Sequence, residues 1–400
     1  MKRKKRDHNK EHEKDSTPPS MLDSLHLDLK LDILSCLPAK SLTKLRCVSK
    51  MWSSIIRSQG FIDSFFAMSS TKPRFIVALT NGFILPPEER LTFFYSFSHE
   101  GEESSSLVPN FEMVTPTSLC YCSEYFASLH GFLTVETNKG LMLCNPGTEQ
   151  VITLPKAATF VGYDPIGDQY KALAVEVSVR KPAAHKVLTL GGAQGWRDIE
   201  GPPGPYRTTT SVGICINGVI YSGAHEYSTQ SNNPVIVCFD VRSEKMSFIQ
   251  APDDVVHWGC KSILIDYNGK LASIARDPRC DLRRFDLWIL EDVEKPIWSK
   301  HACVLPSSMW APIGVVEYSF PGATKAGEII IHPNGLAREV EPFYIFYFNV
   351  KTQNVRRVRL LGIGDNQEFR RSYGFEDTCE CFVRMVPQNV ESIAFLKNHT

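Results

Sequence analysis

Residues 237–249 read Val-Cys-Phe-Asp-Val-Arg-Ser-Glu-Lys-Met-Ser-Phe-Ile, which is an apolar strand pattern, a polar turn and a second strand pattern. Similar pairs of segments recur along most of the chain, and each has the length of a β-hairpin. Successive copies begin about 44 to 58 residues apart, the spacing of a four-stranded propeller blade. The copies, of which the first is faintest, begin at Phe93, Leu143, Val187, Val237, Leu287 and Ile345. This spacing predicts a β-propeller of about six blades.

Two tight turns support the β prediction. Asn217-Gly218 separates two short apolar runs, and Asn268-Gly269 separates another pair. Asn-Gly pairs favour two-residue hairpin turns in which both residues have positive φ. An irregular pair of β-sandwiches whose hairpins merely resemble one another is the alternative fold, and the number of blades distinguishes the two.

The segment ahead of the repeats has a helical pattern instead. Pro38 cannot continue a first helix but suits the first turn of a second, and a third helical segment at about residues 51–57 ends before Gly60. The first helix is apolar on two neighbouring faces, formed by Leu27, Leu31 and Leu34 and by Leu25, Leu29, Ile33 and Leu37. We therefore expect a multi-domain α+β chain, with three short helices in residues 22–66 and a mainly β domain in residues 67–396.

Residues 1–21 are charged and almost free of apolar side chains, so they cannot offset the entropy of ordering and are expected to form a mobile basic tail. The run from Lys2 to Arg6 is either a nuclear address or a solvated charge run. The chain has neither the apolar stretch of a secretory signal nor an apolar run long enough to span a bilayer. We expect the nucleus, the cytoplasm or both.

Charge and cysteine usage also limit the function. The chain has 44 basic and 44 acidic side chains, so no global field favours nucleic acid or a membrane as a partner. Twelve cysteines are scattered, apart from Cys120-x-Cys122 and Cys379-x-Cys381, whose spacing is shorter than that of most structural zinc sites. We expect no metal and no cofactor.

No sequence motif predicts catalysis. Residues 8–12 match the zinc-protease pattern H-x-x-E-H, but they lie in the charged tail, where no apolar face could hold a helix. Residues 191–195 are glycine-rich but lack the lysine and the spacing of a phosphate-binding loop. We therefore predict that the chain is not an enzyme.

The stretch from Leu25 to Trp52 resembles a plant F-box. It reads LHLDLKLDILSCLPAKSL at residues 25–42 and LRCVSKMW at residues 45–52. His26 departs from the pattern, because the family usually has proline there, and we expect the exchange to loosen the entry into the first helix. The resemblance implies binding to the Skp-type linker of a cullin-RING ubiquitin ligase.

The β region is similar to the plant F-box-associated domain, type 3-like and propeller-like. The matching motifs are Cys144-Asn145-Pro146, Leu154-Pro155, Gly162-Tyr163-Asp164-Pro165, Asp168-Gln169-Tyr170-Lys171, Gly213-Ile214-Cys215-Ile216-Asn217-Gly218, Phe239-Asp240, and the runs at residues 187–191, 287–292 and 298–300. The resemblance implies a substrate-recognition adaptor of an SCF-type ligase, whose β domain recruits a protein client. Two alternatives are a stand-alone propeller that binds its own ligand and an F-box protein that acts outside proteolysis.

The residues themselves support a partner for the helical segment. A unit of about 45 residues lies near the lower limit for an independently stable core, and this one has more apolar positions than three short helices can cover. The residues expected to contact the linker are Leu25, Ile33, Leu34, Leu37 and Pro38. The residues expected in the internal core of the helices are Leu29, Leu42, Leu45, Val48 and Trp52.

Client recognition is expected to use loops at one end of the blades. Aromatic side chains in segments that contain glycine or proline are candidate exposed anchors, because aromatic residues dominate many interfaces. They are Tyr206, Trp258 and Trp310.

Overall fold

The structure is a computed structural model with four helices at its amino-terminal side and six β-sheets after them. It describes residues 25–72, 74–81, 90–98, 105–116, 126–137, 140–155, 157–176, 183–202, 205–209, 213–227, 232–256, 262–276, 283–306, 317–337, 339–375 and 381–396. The predicted tail at residues 1–21, the H-x-x-E-H pattern, Cys120, Cys122 and Cys379 lie outside these ranges.

Four helices form the part we call the head, residues 27–70. They are α1 (Leu27–Ser35), α2 (Ala39–Leu45), α3 (Lys50–Ile56) and α4 (Gln59–Ser70). Pro38 precedes α2 as predicted, and Ser49 caps α3 by accepting a hydrogen bond from the Trp52 amide at 3.2 Å. The residue before α1, His26, has φ −61°, close to the value that proline would impose.

The fourth helix of the head is an addition to the three that we predicted. Gly60 was taken as the residue that ends the third helix, but it lies in the first turn of α4, directly after Gln59. A glycine in a first turn costs less than one in a helix interior because few intrahelical hydrogen bonds depend on it. The predicted boundary at residue 66 therefore lies inside a helix.

The sheets are six blades of a β-propeller, which confirms the predicted fold class. Blade 1 contains β1 (Arg74–Thr80), β2 (Leu91–Ser98) and β4 (Asn110–Pro116) with β26 (Phe382–Asn389). Blade 2 contains β5 (Phe126–Leu129), β6 (Phe132–Thr137), β7 (Gly140–Asn145) and β8 (Gln150–Thr153). Blade 3 contains β9 (Phe160–Asp164), β10 (Gln169–Glu176), β11 (Ala184–Thr189) and β12 (Arg197–Ile199).

The other three blades follow in chain order. Blade 4 contains β13 (Tyr206–Thr208), β14 (Ile214–Ile216), β15 (Val219–Tyr227), β16 (Asn232–Asp240) and β17 (Met246–Gln250). Blade 5 contains β18 (Ser262–Tyr267), β19 (Lys270–Ala275), β20 (Arg284–Asp292) and β21 (Ile297–Val304). Blade 6 contains β22 (Tyr318–Ala323), β23 (Glu328–Pro333), β24 (Phe343–Asn349) and β25 (Asn354–Leu360), with β3 (Ser106–Leu107) added in parallel, and α5 (Gln367–Ser372) follows it.

The repeat in the sequence corresponds to the outer strands of each blade. In blade 4, for example, residues 237–249 form the end of β16 and most of β17, which pair antiparallel. The two Asn-Gly turns join β14 to β15 and β18 to β19, with φ of 50° and 83° at Asn217 and Gly218 and of 54° and 80° at Asn268 and Gly269. These are the positive-φ hairpins that the sequence predicts.

The ring is closed by the last strand. β26 pairs antiparallel with β1, with Val77 opposite Met385. Blade 1 therefore combines the first described strands of the propeller with the last one. Each pair of neighbouring blades shares one cluster of buried apolar side chains. Most strands are therefore covered on both faces, which explains why β2 reads as the nearly continuous apolar run Phe93-Phe94-Tyr95-Ser96-Phe97.

Within the part of the chain that the structure describes, no helix is both long and apolar enough to cross a membrane.

Candidate functional site

The outer side of the head exposes large aliphatic side chains. Leu27, Leu29 and Ile33 of α1 are 53%, 52% and 46% exposed, and Val48, in the turn before α3, is 67% exposed. Leu29 and Ile33 are one helical turn apart and so lie on one face. We use the name outer apolar face for these four exposed residues together, of which Leu29 and Ile33 share one side of α1 and Leu27 lies in its first turn. Four exposed aliphatic side chains on a small domain indicate a surface that another protein covers.

The residues predicted to contact the linker divide between surface and core. Ile33 and Pro38 are exposed, and Leu25 and Leu37 are partly buried. Leu34 is only 1% exposed and packs in the core of the head, so its assignment to the linker contact is wrong. It lies on the face of α1 next to that of Ile33, because successive residues of a helix point about 100° apart.

The residues predicted in the core of the head divide as well. Leu42 and Trp52 are buried, and Leu45 is partly buried against them. Leu29 and Val48 are exposed, so their assignment to the core is wrong. Leu29 points outward because α1 turns its other face, with Leu34, toward α2 and α3, and Val48 lies in the tight turn where its amide donates to Leu45 O at 3.0 Å.

The head rests on one rim of the propeller through α4. The Phe66 ring lies 3.9 Å from the His130 ring, and the other face of His130 stacks on Tyr163 at 3.8 Å. Gln59 Nε2 donates to Asp168 Oδ2 at 3.1 Å, and Lys325 Nζ donates to Ser70 O at 2.9 Å.

Three blades therefore contribute to this contact. His130, Asp168 and Lys325 lie in the turns between the first and second strands of blades 2, 3 and 6. The head is thus held by several blades of one rim, and the opposite rim faces away from it.

The contact between α4 and the propeller buries His130 and so affects its pKa. Burial lowers the pKa of His130 to about 4, although the carboxylates of Asp168 and Asp63 favour its charged form. Its Nδ1 is 3.0 Å from the Tyr170 hydroxyl, which also donates to the His130 carbonyl oxygen at 3.0 Å. The imidazole is therefore neutral at physiological pH and acts as an aromatic spacer between α4 and blade 3.

The central channel of the propeller holds a cavity of about 450 Å³ that the first strands of the blades and Phe66 surround. Its walls combine apolar and polar groups, and Asp266 is the one carboxylate among the lining residues. Burial raises the pKa of Asp266, although its Oδ1 accepts a hydrogen bond from the Gly269 amide at 2.7 Å. Among the described residues, no group of three or more His, Cys, Asp or Glu side chains could hold a metal ion.

The predicted client anchors are not supported as a group. Tyr206 is 1% exposed, so its assignment as an exposed anchor is wrong. It lies on β13, which pairs with β15, and its hydroxyl is 2.6 Å from His185 Nε2 while its ring contacts Phe248. Trp258 and Trp310 lie outside the described residues.

One structural contributor was absent from the sequence analysis. Ile393, which follows the last strand, is 3% exposed and belongs to the core of the head. The only signal in the sequence is the short apolar run at residues 393–396, Ile-Ala-Phe-Leu, and its partner cannot be read from the sequence.

Comparisons with known proteins agree on both parts of the chain. The F-box domain model matches residues 22–64, and the model of the F-box associated beta propeller domain matches residues 80–390. The Arabidopsis thaliana protein At1g32660 is 58% identical over 376 residues, which cover 92% of this chain and 83% of that protein. The Arabidopsis thaliana F-box protein At1g30790 is 46% identical over 398 residues, which cover 94% of this chain and 99% of that protein.

A solved structure of Synechocystis apocarotenoid oxygenase also aligns, with a TM-score of 0.38 and 9% identity over 73% of this chain and 78% of that chain. A likeness this distant carries no argument about function.

Proposed function

Because the chain belongs to the F-box proteins that carry an F-box associated beta propeller domain, we propose that it is a substrate-recognition adaptor of an SCF-type ubiquitin ligase. The head binds the Skp-type linker and, through it, the cullin-RING ligase. The propeller, of the type 3-like class, recruits a protein client. The chain itself is non-catalytic, because ubiquitin transfer belongs to other subunits, and it acts in the nucleus, the cytoplasm or both.

The outer apolar face is the observation that carries this proposal. Leu27, Leu29, Ile33 and Val48 leave roughly half or more of their side chains in water. Fully burying an aliphatic side chain contributes roughly 1.5 to 3 kcal/mol, so covering these four contributes roughly 3 to 6 kcal/mol. That free energy offsets a substantial part of the cost of association.

The position of the head supports different roles for the two rims of the propeller, with one rim holding the head and the other binding the client. α4 occupies turns of blades 2, 3 and 6 on one rim, through Phe66, Gln59 and Ser70. Among the described residues, the contacts of α4 lie on this rim, so a client can approach from the opposite rim. A rigid scaffold that presents loops at one end is a common arrangement for recognition.

The linker contact can be tested with a surface variant. The double substitution Leu29→Asp with Ile33→Asp puts two carboxylates on the outer apolar face without touching the buried side chains of α1. We expect at least about a tenfold loss of Skp-type linker capture by purified protein, because two charges would have to be desolvated in the complex. The propeller should stay folded, with an unchanged circular dichroism spectrum.

A matched control uses Val293→Asp with Ile297→Asp. These side chains are 53% and 50% exposed, close to the 52% and 46% of Leu29 and Ile33, but they lie in blade 5. Linker capture by the control should equal that of the wild type. Equal capture by the two double variants would overturn the assignment of the linker surface to the outer apolar face.

The client side can be tested in cells with the proteasome inhibited. Proteins retained by both the wild type and the Leu29→Asp, Ile33→Asp variant, yet ubiquitinated only with the wild type, are clients of the ligase. If the retained proteins carry no ubiquitin with either form while the linker is still captured by the wild type, the adaptor acts outside proteolysis.

A further inference from the structure

Residues 390–396, which we call the strap, follow β26 and lie between the head and the propeller. Ser392 and Ile393 are 2% and 3% exposed. The middle of the strap is therefore buried, although the strap belongs to no strand or helix and Phe395 is 45% exposed.

One side of the strap completes the head. Ile393 packs in the same cluster as Leu34, Leu42 and Trp52. Phe395 lies under the guanidinium of Arg46, whose carbon atom is 4.2 Å from the ring centroid. An apolar side chain contributed from outside the helices thus belongs to the interior of the head.

The strap also caps a helix of the head. α2 begins after Pro38, whose side chain cannot cap it. Glu391 Oε1 accepts a hydrogen bond from the Ala39 amide at 2.8 Å, and Glu391 Oε2 lies 3.5 Å from the Arg74 guanidinium of β1. A carboxylate at a helix amino terminus satisfies an otherwise unpaired amide and complements the helix dipole. The cap of α2 therefore comes from residue 391, and this carboxylate also ties α2 to blade 1.

The other side of the strap is fixed to the propeller. Asn145 Nδ2 donates to Ala394 O at 3.1 Å. Gln150 forms two hydrogen bonds with the backbone of Leu396, donating to its carbonyl oxygen at 2.6 Å and accepting from its amide at 3.0 Å. Ala394 and Leu396 pack against the core shared by blades 2 and 3.

Blade 2, the strap and α2 are closely packed around Gly147. A Cβ added at Gly147, in the turn between β7 and β8, would lie 2.7 Å from Ala39 Cβ and 2.7 Å from Ser392 O. Thr43 Oγ1 of α2 also donates to Gly147 O at 3.3 Å. Blade 2, the strap and α2 therefore meet in direct contact, and the glycine permits their approach.

We propose that the strap is a structural part of the head, and that without it the four helices lose their native packing and their fixed position on the propeller. Glu391 and Ile393 are the residues of the strap that position the helices of the head. As far as linker binding is concerned, the inference rests on the proposed function, since the strap would act by holding the outer apolar face in place. A head of this size has little core of its own, so the removal of one buried side chain and one cap is a large change for it.

The first test compares two stop codons by hydrogen exchange. A stop after Asn389 removes the strap but leaves β26, which closes the ring and ends at Asn389, whereas a stop after Leu396 keeps every strap residue. We expect exchange at the amides of α1 to α4 to rise at least about tenfold in the shorter chain only, with the amides of β15, β16 and β20 unchanged. Unchanged protection of the head in the shorter chain would overturn the proposal.

Two point variants keep the proposal testable if the shorter chain does not fold. Ile393→Asp puts a carboxylate into the core of the head, and Gly147→Ala wedges a methyl group between α2 and the strap. Gly195→Ala is the matched control, because a Cβ added there meets no atom within 4 Å. We expect hydrogen exchange in the head to be faster than in the wild type for the first two variants and unchanged for the control. Equal exchange rates in all three variants would count against a structural role of the strap.

Linker capture separates this inference from the proposed function. Loss of capture in Ile393→Asp, together with faster exchange in the head, supports both. Faster exchange in a protein whose wild type captures no linker supports the strap and refutes the proposed function. Unchanged exchange with intact capture in all strap variants refutes the strap and leaves the proposed function standing.

Discussion

Two neighbouring residues of α1 should respond very differently to the same truncation. Leu34 is 1% exposed and lies in the core of the head, whereas Ile33 is 46% exposed on the outer apolar face. Both side chains lose three carbon atoms when replaced by alanine. The comparison of Leu34→Ala with Ile33→Ala therefore holds the chemistry constant and changes only the burial.

The magnitude follows from that burial. Replacing a fully buried leucine by alanine costs about 2 to 5 kcal/mol, because the transfer free energy of the lost atoms is joined by a cavity term. We expect about 3 kcal/mol for Leu34→Ala, since the strap and the helices around it can collapse only in part. Ile33→Ala should cost about 1 kcal/mol or less, because about half of its side chain is already in water and no closed cavity forms.

Hydrogen exchange of the amides in α1 to α4 measures both values. A loss of about 3 kcal/mol raises the opening equilibrium of the head roughly 150-fold, and a loss of about 1 kcal/mol raises it roughly fivefold. Linker capture should show the complementary pattern, in which Ile33→Ala weakens binding to a head that remains closed. Equal acceleration of exchange in the two variants, or faster exchange for Ile33→Ala, would refute the division of α1 into a core face and an outer face.

Three further outcomes are expected. Gly218→Ala should lower the free energy of unfolding of the propeller by about 1 to 2 kcal/mol in urea titrations, because φ at this position is +83°. Tyr206→Phe should cost about 1 to 2 kcal/mol, because His185 loses a buried partner at 2.6 Å, and client capture should be unchanged. Burial lowers the pKa of His130 and of His332 to about 4, from 6.5. Between these pH values the unfolded chain binds more protons than the folded chain does. The free energy of unfolding should therefore be highest above pH ~6.5 and decline as the pH falls toward 4. Urea titrations across this range should show a decline in the free energy of unfolding of up to roughly 3 kcal/mol for each histidine, which His332→Gln reduces. A free energy of unfolding that does not change with pH would contradict the lowered pKa values.

Local patterns in the sequence were sufficient for most of the propeller. The two Asn-Gly turns and the recurrence of outer hairpins depend on residues close together in the chain, and the structure has both where the sequence predicts them. The blade count followed from the same period. The fourth helix was missed because Gly60 is a helix breaker only in an interior, and the sequence does not show which turn of a helix it occupies.

The division of the head into core and surface was harder to predict from the sequence, because it depends on residues far away in the chain. The periodicity of α1 shows two apolar faces, but it cannot show which of them the rest of the chain covers. That decision involves residues 390–396, as in the hydrogen bond between Ala39 and Glu391, which are 352 positions apart. Tyr206 was misassigned for a similar reason, because its proline-rich surroundings suggest a surface loop whereas pairing of β13 with β15 buries it.

The pairing of β26 with β1 sets the order in which this protein can mature on the ribosome. β1 is synthesised early, and its residues from Phe75 to Thr80 are all buried in the finished molecule, yet its partner emerges only after every other described strand. Until β26 is present, one edge of β1 therefore lacks its strand partner, and an unpaired strand edge favours aggregation. A polypeptide that ends before residue 382 cannot close its ring in this way.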